Sequence, residues 1–281
     1  MKNYHKPYSG LAKYYDQYVL NNIEYFSHWA DFIIEAYFEI HHSLPLTMLD
    51  IACGTGFMSR SIYSRIPSLS IDAFDLNPEM LEIAQKKDNA RPIINYFQAD
   101  MTEFELPNRY DLAICIFDSV NYLLTIKDFR KMLVNVERVL NTGGVFIFDI
   151  STVLNCRENF NEVVNIDESE THFIAHEAFY EESEALQRTI YTIFTLGDTG
   201  YVKSKEEHLQ KIWQCKEIVE IIEQSHWTLY GIYDLESQKK LSIELPHGRF
   251  TLSKTKLSAQ LTLFDESYER ILFVLKKNGK K

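Results

Sequence analysis

An apolar run that ends in an acid and then bends on two glycines limits this chain more than any other stretch. It is Met48-Leu49-Asp50-Ile51-Ala52-Cys53-Gly54-Thr55-Gly56-Phe57. The pattern predicts a buried strand and a turn whose glycines accept positive φ and leave no Cβ between backbone and ligand. A second strand, Ile71-Asp72-Ala73-Phe74-Asp75, ends in an acid at the distance where an acid meets a ribose hydroxyl pair. A third, Ile93-Ile94-Asn95-Tyr96-Phe97-Gln98, runs into Ala99-Asp100-Met101. An acid beside an apolar residue can take an adenine amine and pack on its ring. The three strand ends together describe a seat for a nucleoside-bearing cofactor.

A dinucleotide fold shares these features but needs Gly-x-Gly-x-x-Gly, and the third glycine position here is Ser59. Asp50 inside the loop motif would repel a pyrophosphate, whereas it suits the ammonium end and sulfonium of S-adenosylmethionine. Around the loop, strands alternate with helices. Tyr8 to Leu20 and Tyr25 to His41 read as an N-terminal helical cap, and a helix is expected from Phe57 to Ile66. Asn77-Pro78-Glu79 opens another with an N-cap and a proline at its first position. Thr125 caps a third, in which Phe129, Met132, Leu133, Val136 and Val139 recur at three and four. Such alternation predicts an α/β protein with a parallel sheet wound on both faces.

Beyond Asp149 the pattern changes to strand-like runs, Thr171 to Tyr180 and Leu186 to Leu196, separated by turn residues. An antiparallel β insertion is therefore expected over residues 155–210, as a lid on a core of residues 1–154 and 211–281. A helix from Cys215 to Gln224, a strand from Trp227 to Tyr233 and a final strand from Glu269 to Leu275 return to that core. The intervening stretch Glu236 to Asp265 reads as β-rich.

In order and spacing the motifs resemble those of the class I S-adenosylmethionine-dependent methyltransferases. The resemblance rests on Leu49 to Gly56, Phe74 to Leu81, Gln98 to Met101, Tyr110 to Asp118 and Gly143 to Asp149. It is closest to bacterial small-molecule enzymes related to sugar-amine and glycine N-methyltransferases. It implies a Rossmann-like, doubly wound, seven-stranded sheet whose last strand is antiparallel, with S-adenosyl-L-methionine as cofactor and S-adenosyl-L-homocysteine as product. The first glycine of the family's loop is Ala52 here. Carried over position by position, the cofactor would meet Asp50, Ala52, Gly54, Gly56, Asp75, Leu76, Met80, Asp100, Met101, Ile116 and Phe117. Tyr8 and Tyr15, in a segment like the family's Tyr-x-x-x-Ala-x-x-Tyr-Asp opening, would close over it or else serve as ordinary aromatic core. Asp118, Asn121 and Tyr122 follow the fourth strand, where the family places groups between cofactor and acceptor. The sequence there is not the Asn-Pro-Pro-Tyr type of amide and base N-methyltransferases. Similar enzymes carry a Glu-Glu-His where this chain has Glu206-Glu207-His208, which makes His208 the candidate base beside its plainer reading as a core histidine.

Composition narrows the partners. A net charge of -11 argues against a nucleic-acid partner, which would be expected to meet a basic face. No run reaches the roughly 18 apolar residues of a membrane span, and the opening residues lack a signal peptide's apolar stretch, so a cytoplasmic protein is expected. Cys53, Cys115, Cys156 and Cys215 show neither Cys-x-x-Cys pairing nor histidine at ligand spacing, and no metal is expected. The reading is transfer of a methyl group to an N- or O-nucleophile of a small-molecule acceptor. Two alternatives stand beside it: a regulatory protein that binds S-adenosylmethionine without turnover, and a nucleotide-dependent oxidoreductase. The oligomeric state is not encoded in any motif.

Overall fold

The chain's two glycine-bend neighbours, an apolar strand before and a helix after, recur along the first half of the molecule. The structure is a computed structural model describing residues 6–18, 23–88, 93–241 and 254–279. A 3-10 turn at Ala12–Tyr14 leads into helices α1 (Tyr15–Tyr18) and α2 (Ile23–His41). Then follow β1 (Thr47–Ile51), α3 (Phe57–Arg65), β2 (Ser70–Asp75), α4 (Pro78–Lys87), β3 (Ile94–Gln98), β4 (Tyr110–Cys115), α5 (Ile126–Val139) and β5 (Leu140–Ser151). Helix α6 (Val153–Asn159) opens the insertion, whose strands are β6 (Val163–Glu168), β7 (His172–Glu181), β8 (Leu186–Gly197) and β9 (Gly200–Lys211). The chain closes with α7 (Cys215–Glu223), β10 (Trp227–Asp234), β11 (Lys239–Lys240), α8 (Lys254–Ser267) and β12 (Arg270–Lys277).

The large sheet has the order β3-β2-β1-β4-β5-β12-β10-β11. β1 to β5 pair in parallel, and β12 enters antiparallel between β5 and β10. This is the doubly wound arrangement expected, with a two-residue strand added at one edge. Both faces are covered, so β5 is apolar at consecutive positions rather than at alternate ones. Phe146, Phe148 and Ile150 join the core under α5 and α7, while Val145 and Ile147 join the core under α2 and α3. Phe148 stacks on Phe273 of the neighbouring strand at 5.2 Å, and Phe129 meets Trp213 edge-on at 5.2 Å.

Local signals carry the helices. The Asn77 side chain accepts from Met80 N at 3.0 Å, and Thr125 Oγ1 accepts from Asp128 N at 3.1 Å. Each satisfies an N–H with no partner inside its helix. Helix α5 then buries Phe129, Met132, Leu133, Val136 and Val139, its periodic face.

The stretch Glu236 to Asp265 departs from its β-rich expectation. Its described residues form the short β11 and then helix α8, while residues 242–253 lie outside the described residues. Leu257, Leu261 and Phe264 recur at four and three, and all pack on the core. Asp265 of α8 accepts the Cys215 N–H at 3.1 Å, which caps α7 from outside the helix. At the other end of the chain, Tyr8 to Leu11 form turns rather than helix, and Leu20 lies outside the described residues.

The insertion sheet has the order β6-β7-β8-β9, all antiparallel. Its inner face packs Ile174 and Ile193 against Leu11 and Tyr14. The N-terminal segment therefore lies between the insertion and the strand ends of the large sheet. Three contacts tie it to the latter: Asn77 Nδ2 donates to Pro7 O at 2.9 Å, and Asp16 accepts from Thr55 Oγ1 at 2.5 Å and pairs with Lys87.

Candidate functional site

Where β1 ends, Ala52, Gly54 and Gly56 all take positive φ, at 56°, 54° and 73°. Gly56 is held by space as well as by φ, because a Cβ there would strike Tyr96 and come within 2.8 Å of Arg60 Nη1. At Gly54 a Cβ would meet nothing within 4 Å, so this part of the loop opens to free space. Ala52 adopts the same left-handed conformation despite its Cβ, a strain that costs on the order of 1 kcal/mol.

Asp75, at the end of β2, is tied to that loop. Its carboxylate accepts Gly54 N and Asn77 N, each at 2.8 Å, and burial raises its pKa against those bonds. Asp50 lies beneath the loop rather than on it. It is 2% exposed, Ser59 Oγ donates to it, and burial pushes its pKa up to about 7. Asp100 accepts from Thr102 N and Oγ1 at 2.7 and 2.8 Å, with Met101 half-buried beside it. Leu76 is 63% exposed at the rim. These residues surround an open glycine bend with acids at three neighbouring strand ends, and they fit a nucleoside with a cationic tail. Met80 and Ile116, expected beside the cofactor, are 2% and 3% exposed and count among the buried apolar residues.

Beyond β4 the chain makes a sharp bend with two consecutive left-handed residues, Phe117 and Asp118, at φ 63° and 49°. Phe117 packs on Trp29 and Phe26 at 5.1 and 5.3 Å. The Asp118 N–H donates to the Asp149 carboxylate at 3.2 Å. Arg270, the first residue of β12, then joins the two acids, giving Nη1 to Asp118 at 2.6 Å and Nε to Asp149 at 2.9 Å. Burial opposes the guanidinium charge, but the two carboxylates outweigh it and hold its pKa above the ordinary value. Asp118 also accepts from Gln210 Nε2 of β9 at 2.6 Å, which links the bend to the insertion.

A second chain of groups faces this bend. Tyr8 Oη and Tyr122 Oη are 2.8 Å apart, and Tyr122 Oη lies 2.7 Å from His208 Nδ1. His208 Nε2 is 3.4 Å from Glu206 Oε2, and Glu206 Oε1 accepts the N–H of Leu11 at 3.0 Å and that of Gly10. The Tyr8 ring meets His208 edge-on at 4.6 Å and Tyr15 at 5.6 Å. Burial raises the Tyr8, Tyr15 and Tyr122 phenols, so all three stay protonated and able to donate. The charges of Asp118 and Asp75 both add to the rise at Tyr15, which places that ring between the two halves of the site.

The structure brings together Tyr8, Tyr15, Asp118, Tyr122 and His208, as the sequence pattern suggested. It removes Asn121 from the set. Its side chain is fully buried, donates to Lys211 O at 2.8 Å and Ser151 O at 3.3 Å, and accepts from Ser151 N at 3.2 Å. An amide with those backbone partners pins the insertion to β5 and has no face left for an acceptor. Arg270, Gln210 and Glu206 are the groups that sequence reasoning passed over. Glu206 alone left a signal, as the first residue of Glu206-Glu207-His208.

Comparison with known proteins agrees with this geometry. Residues 48–144 match the methyltransferase domain family. A protein of Bacillus subtilis (strain 168), YqeM, named only as a methyltransferase, is 28% identical over 80% of this chain and 88% of its own. An S-adenosylmethionine-dependent methyltransferase from Clostridium acetobutylicum superposes with a TM-score of 0.75 at 24% identity, covering 97% of this chain and 99% of that one. CalS10 from Micromonospora echinaspora, an amino pentose methyltransferase solved with S-adenosylmethionine bound, gives a TM-score of 0.65 at 16% identity over 99% and 100% of the two chains. With its glycine bend, three strand-end acids and sheet order, this chain carries a methyltransferase domain at residues 48–144 and has the fold of the S-adenosylmethionine-dependent methyltransferases it superposes on.

Proposed function

We propose that the protein transfers a methyl group to an N- or O-nucleophile of a small-molecule acceptor (EC 2.1.1.-), received between the β4 bend and the insertion sheet. The observation that carries this reading is the hydrogen-bonded series Tyr8, Tyr122, His208, Glu206, enclosed beneath β7 to β9. When bound, S-adenosylmethionine supplies a methyl carbon on a sulfonium, already a good leaving group. What the chain must add is alignment and exclusion of water. Asp75 takes the ribose hydroxyls, Asp100 and Met101 fix the adenine, and the Gly54 to Gly56 backbone approaches the methionine part. Tyr8 and Tyr15 close over it. Tyr122 Oη presents a hydrogen bond to the acceptor, and a proton leaving a hydroxyl acceptor passes through Tyr122 to His208 Nδ1. An amine acceptor arrives neutral and needs only the alignment.

An amine-bearing acceptor has support from the amino pentose methyltransferase among the structural neighbours and from the acid-rich insertion. The net charge of -11 weighs against nucleic acid. Among the described residues no helix is long and apolar enough to cross a membrane. Residues 155–210 act as the lid of a core formed by 1–154 and 211–281, within a cytoplasmic enzyme.

The test is incubation with isotopically labelled S-adenosylmethionine and a fractionated metabolite extract. A labelled small molecule is expected; where the methylated atom is a hydroxyl oxygen, it should form at least about 100-fold more slowly in Tyr122→Phe or His208→Asn while cofactor affinity stays within about tenfold. Cofactor binding without any labelled product would favour a regulatory binding protein. Unchanged rates in both variants would remove Tyr122 and His208 from the reaction.

A further inference from the structure

Helix α5 turns one side to the core and the other to solvent, and its outward side is basic in a chain whose net charge is -11. Lys127, Arg130, Lys131, Val134 and Arg138 recur at three and four and form one exposed stripe. Its apolar members Ile126 and Val134 are 47% and 43% exposed, and Leu124, just before the helix, is 44% exposed. These side chains border an open groove of about 560 Å³ whose lining, from Ile126 to Arg138, comes from α5 alone.

Acids outnumber cations in this chain, 40 to 29, yet they leave the stripe largely unneutralised. Among the described residues only Lys131 has an ion partner, Asp128 at 3.3 Å on one edge of the stripe. Glu137, on the other edge, is half-buried and faces His226 at 3.4 Å. Arg130 donates to the Gln224 amide at 2.5 Å, and the α7 acids Glu217, Glu220 and Glu223 pair with none of the four cations among the described residues. A helix face that meets only water ordinarily mixes both signs.

The stripe also fixes what can cover it. Its cations call for acids, and the apolar residues between them call for apolar side chains at matching spacing. An amphipathic helix with an acidic border supplies both, because its own ridges repeat at three and four and enter the grooves of α5. Helix α5 has 14 residues and is roughly 21 Å long. A partner element of that length meets the cations and little else, since exposed charges beyond about 8 Å are screened at physiological ionic strength. A duplex or an anionic lipid surface is wider, and would bring further negative charge against the acidic remainder of the chain. Two helices of this length bury less than the roughly 1,200 Å² of a stable complex, so the association is weak and transient.

We propose that the outer face of α5 docks an acidic amphipathic helix of a partner protein. The assignment is independent of the acceptor and of the roles of Tyr122 and His208.

The probe is a rhodamine-labelled, hydrocarbon-stapled peptide of about 15 residues, with leucines at three-and-four spacing bordered by glutamates; its control carries lysines in place of the glutamates. In fluorescence anisotropy with the full chain, the acidic peptide should bind with a micromolar Kd that weakens at least about fivefold from roughly 50 to 200 mM salt, and the basic peptide should bind at least about tenfold more weakly. Lys127→Glu combined with Arg138→Glu should lower affinity for the acidic peptide at least about tenfold, and Val134→Ser about threefold, while S-adenosylmethionine affinity stays unchanged. All three side chains are exposed, so the substitutions leave the buried face of α5 intact. Equal binding of the two peptides overturns the proposal, as does acidic-peptide binding that the charge reversals do not disturb. Phosphatidylglycerol vesicles and duplex DNA are titrated in the same way, and neither should bind. If either binds and the reversals abolish it, the face is a lipid or nucleic-acid contact and the protein-helix assignment is wrong.

Discussion

Replacing Asp50 by asparagine should flatten the pH dependence of this protein's stability, and the size of the effect follows from where the carboxyl sits. Asp50 is 2% exposed beneath the glycine bend. Burial is the main force on it, and the neighbouring Asp75 charge acts in the same direction, so that its pKa rises from 3.8 to about 7 against the hydrogen bond from Ser59. Between those values the folded chain holds a proton that the unfolded chain has released. Stability from this group is therefore complete below about pH 4 and is lost as pH rises toward about 7. Roughly three pKa units at 1.36 kcal/mol each amount to about 4 kcal/mol. Asparagine keeps an oxygen for Ser59 Oγ and has no proton to lose. Asp75, Asp149 and Asp265 are also raised by burial and give slopes of the same sign, so the wild-type curve alone does not isolate Asp50. The difference between wild type and Asp50→Asn does. Urea unfolding without cofactor, at fixed ionic strength from about pH 4 to about pH 8, should show the variant gaining on the wild type by several kcal/mol as pH rises. Parallel curves would mean that the Asp50 carboxyl is solvated in the folded protein, and the burial argument would fall.

Asp75→Ala should lower S-adenosylmethionine affinity by about 1.5 to 3 kcal/mol, since it removes a charged acceptor that also orders Gly54 and Asn77. Calorimetric titration of a folded variant with unchanged affinity would remove Asp75 from the ribose. Arg270→Met should destabilise the fold by about 3 kcal/mol, because Asp118 and Asp149 would be left facing each other without a cation. A change below about 0.5 kcal/mol in urea unfolding would show those acids to be hydrated. Glu206→Gln should speed hydrogen exchange at the Leu11 amide about tenfold while leaving β4 and β5 protected. Equal protection in both proteins would show that the segment is held by its apolar contacts alone.

Much of the core was legible because its signals are local. The Asn77-Pro78 cap, the Thr125 cap and the periodic face of α5 each specify a helix within a few residues, and they formed as read. The glycine bend was equally plain, although the left-handed Ala52 shows that even its first position can be filled without glycine. What was not legible depends on chain partners far apart in sequence. Arg270 gains its meaning only when β12 inserts antiparallel beside β5 and brings it to Asp149, 121 residues away. Nothing near Asn121 announced that its amide would be taken up by Ser151 and Lys211 backbone. Helix α8 was misread because Leu257, Leu261 and Phe264 give a short apolar series, and a short series fits either period. The strand β6 escaped notice for a related reason. Its alternation, with Val164 and Ile166 on one face, turns the apolar side outward.

The N-terminal segment joins two halves of the site that share few other contacts. On the cofactor side, Asn77 holds Pro7 O, while Thr55 and Lys87 hold Asp16. On the acceptor side, Tyr8 reaches Tyr122, Glu206 takes the Gly10 and Leu11 amides, and Tyr14 Oη meets Thr195 Oγ1 at 3.0 Å. About ten residues thus span from the glycine bend to the insertion sheet. They have little regular structure of their own, only a 3-10 turn and a four-residue helix, so tertiary contacts rather than helical bonds keep them in place. A segment held in that way depends on its packing, with Leu11 fully buried against Ile174 and Ile193 of the insertion sheet. Its Tyr8 sits in the left-handed region at φ 66°, a conformation that a tyrosine keeps only while its surroundings hold it. Release of the Tyr8 hydroxyl from Tyr122 would relax that backbone and uncover the strand ends together with the His208 side of the site. The same ten residues therefore touch both halves of the site.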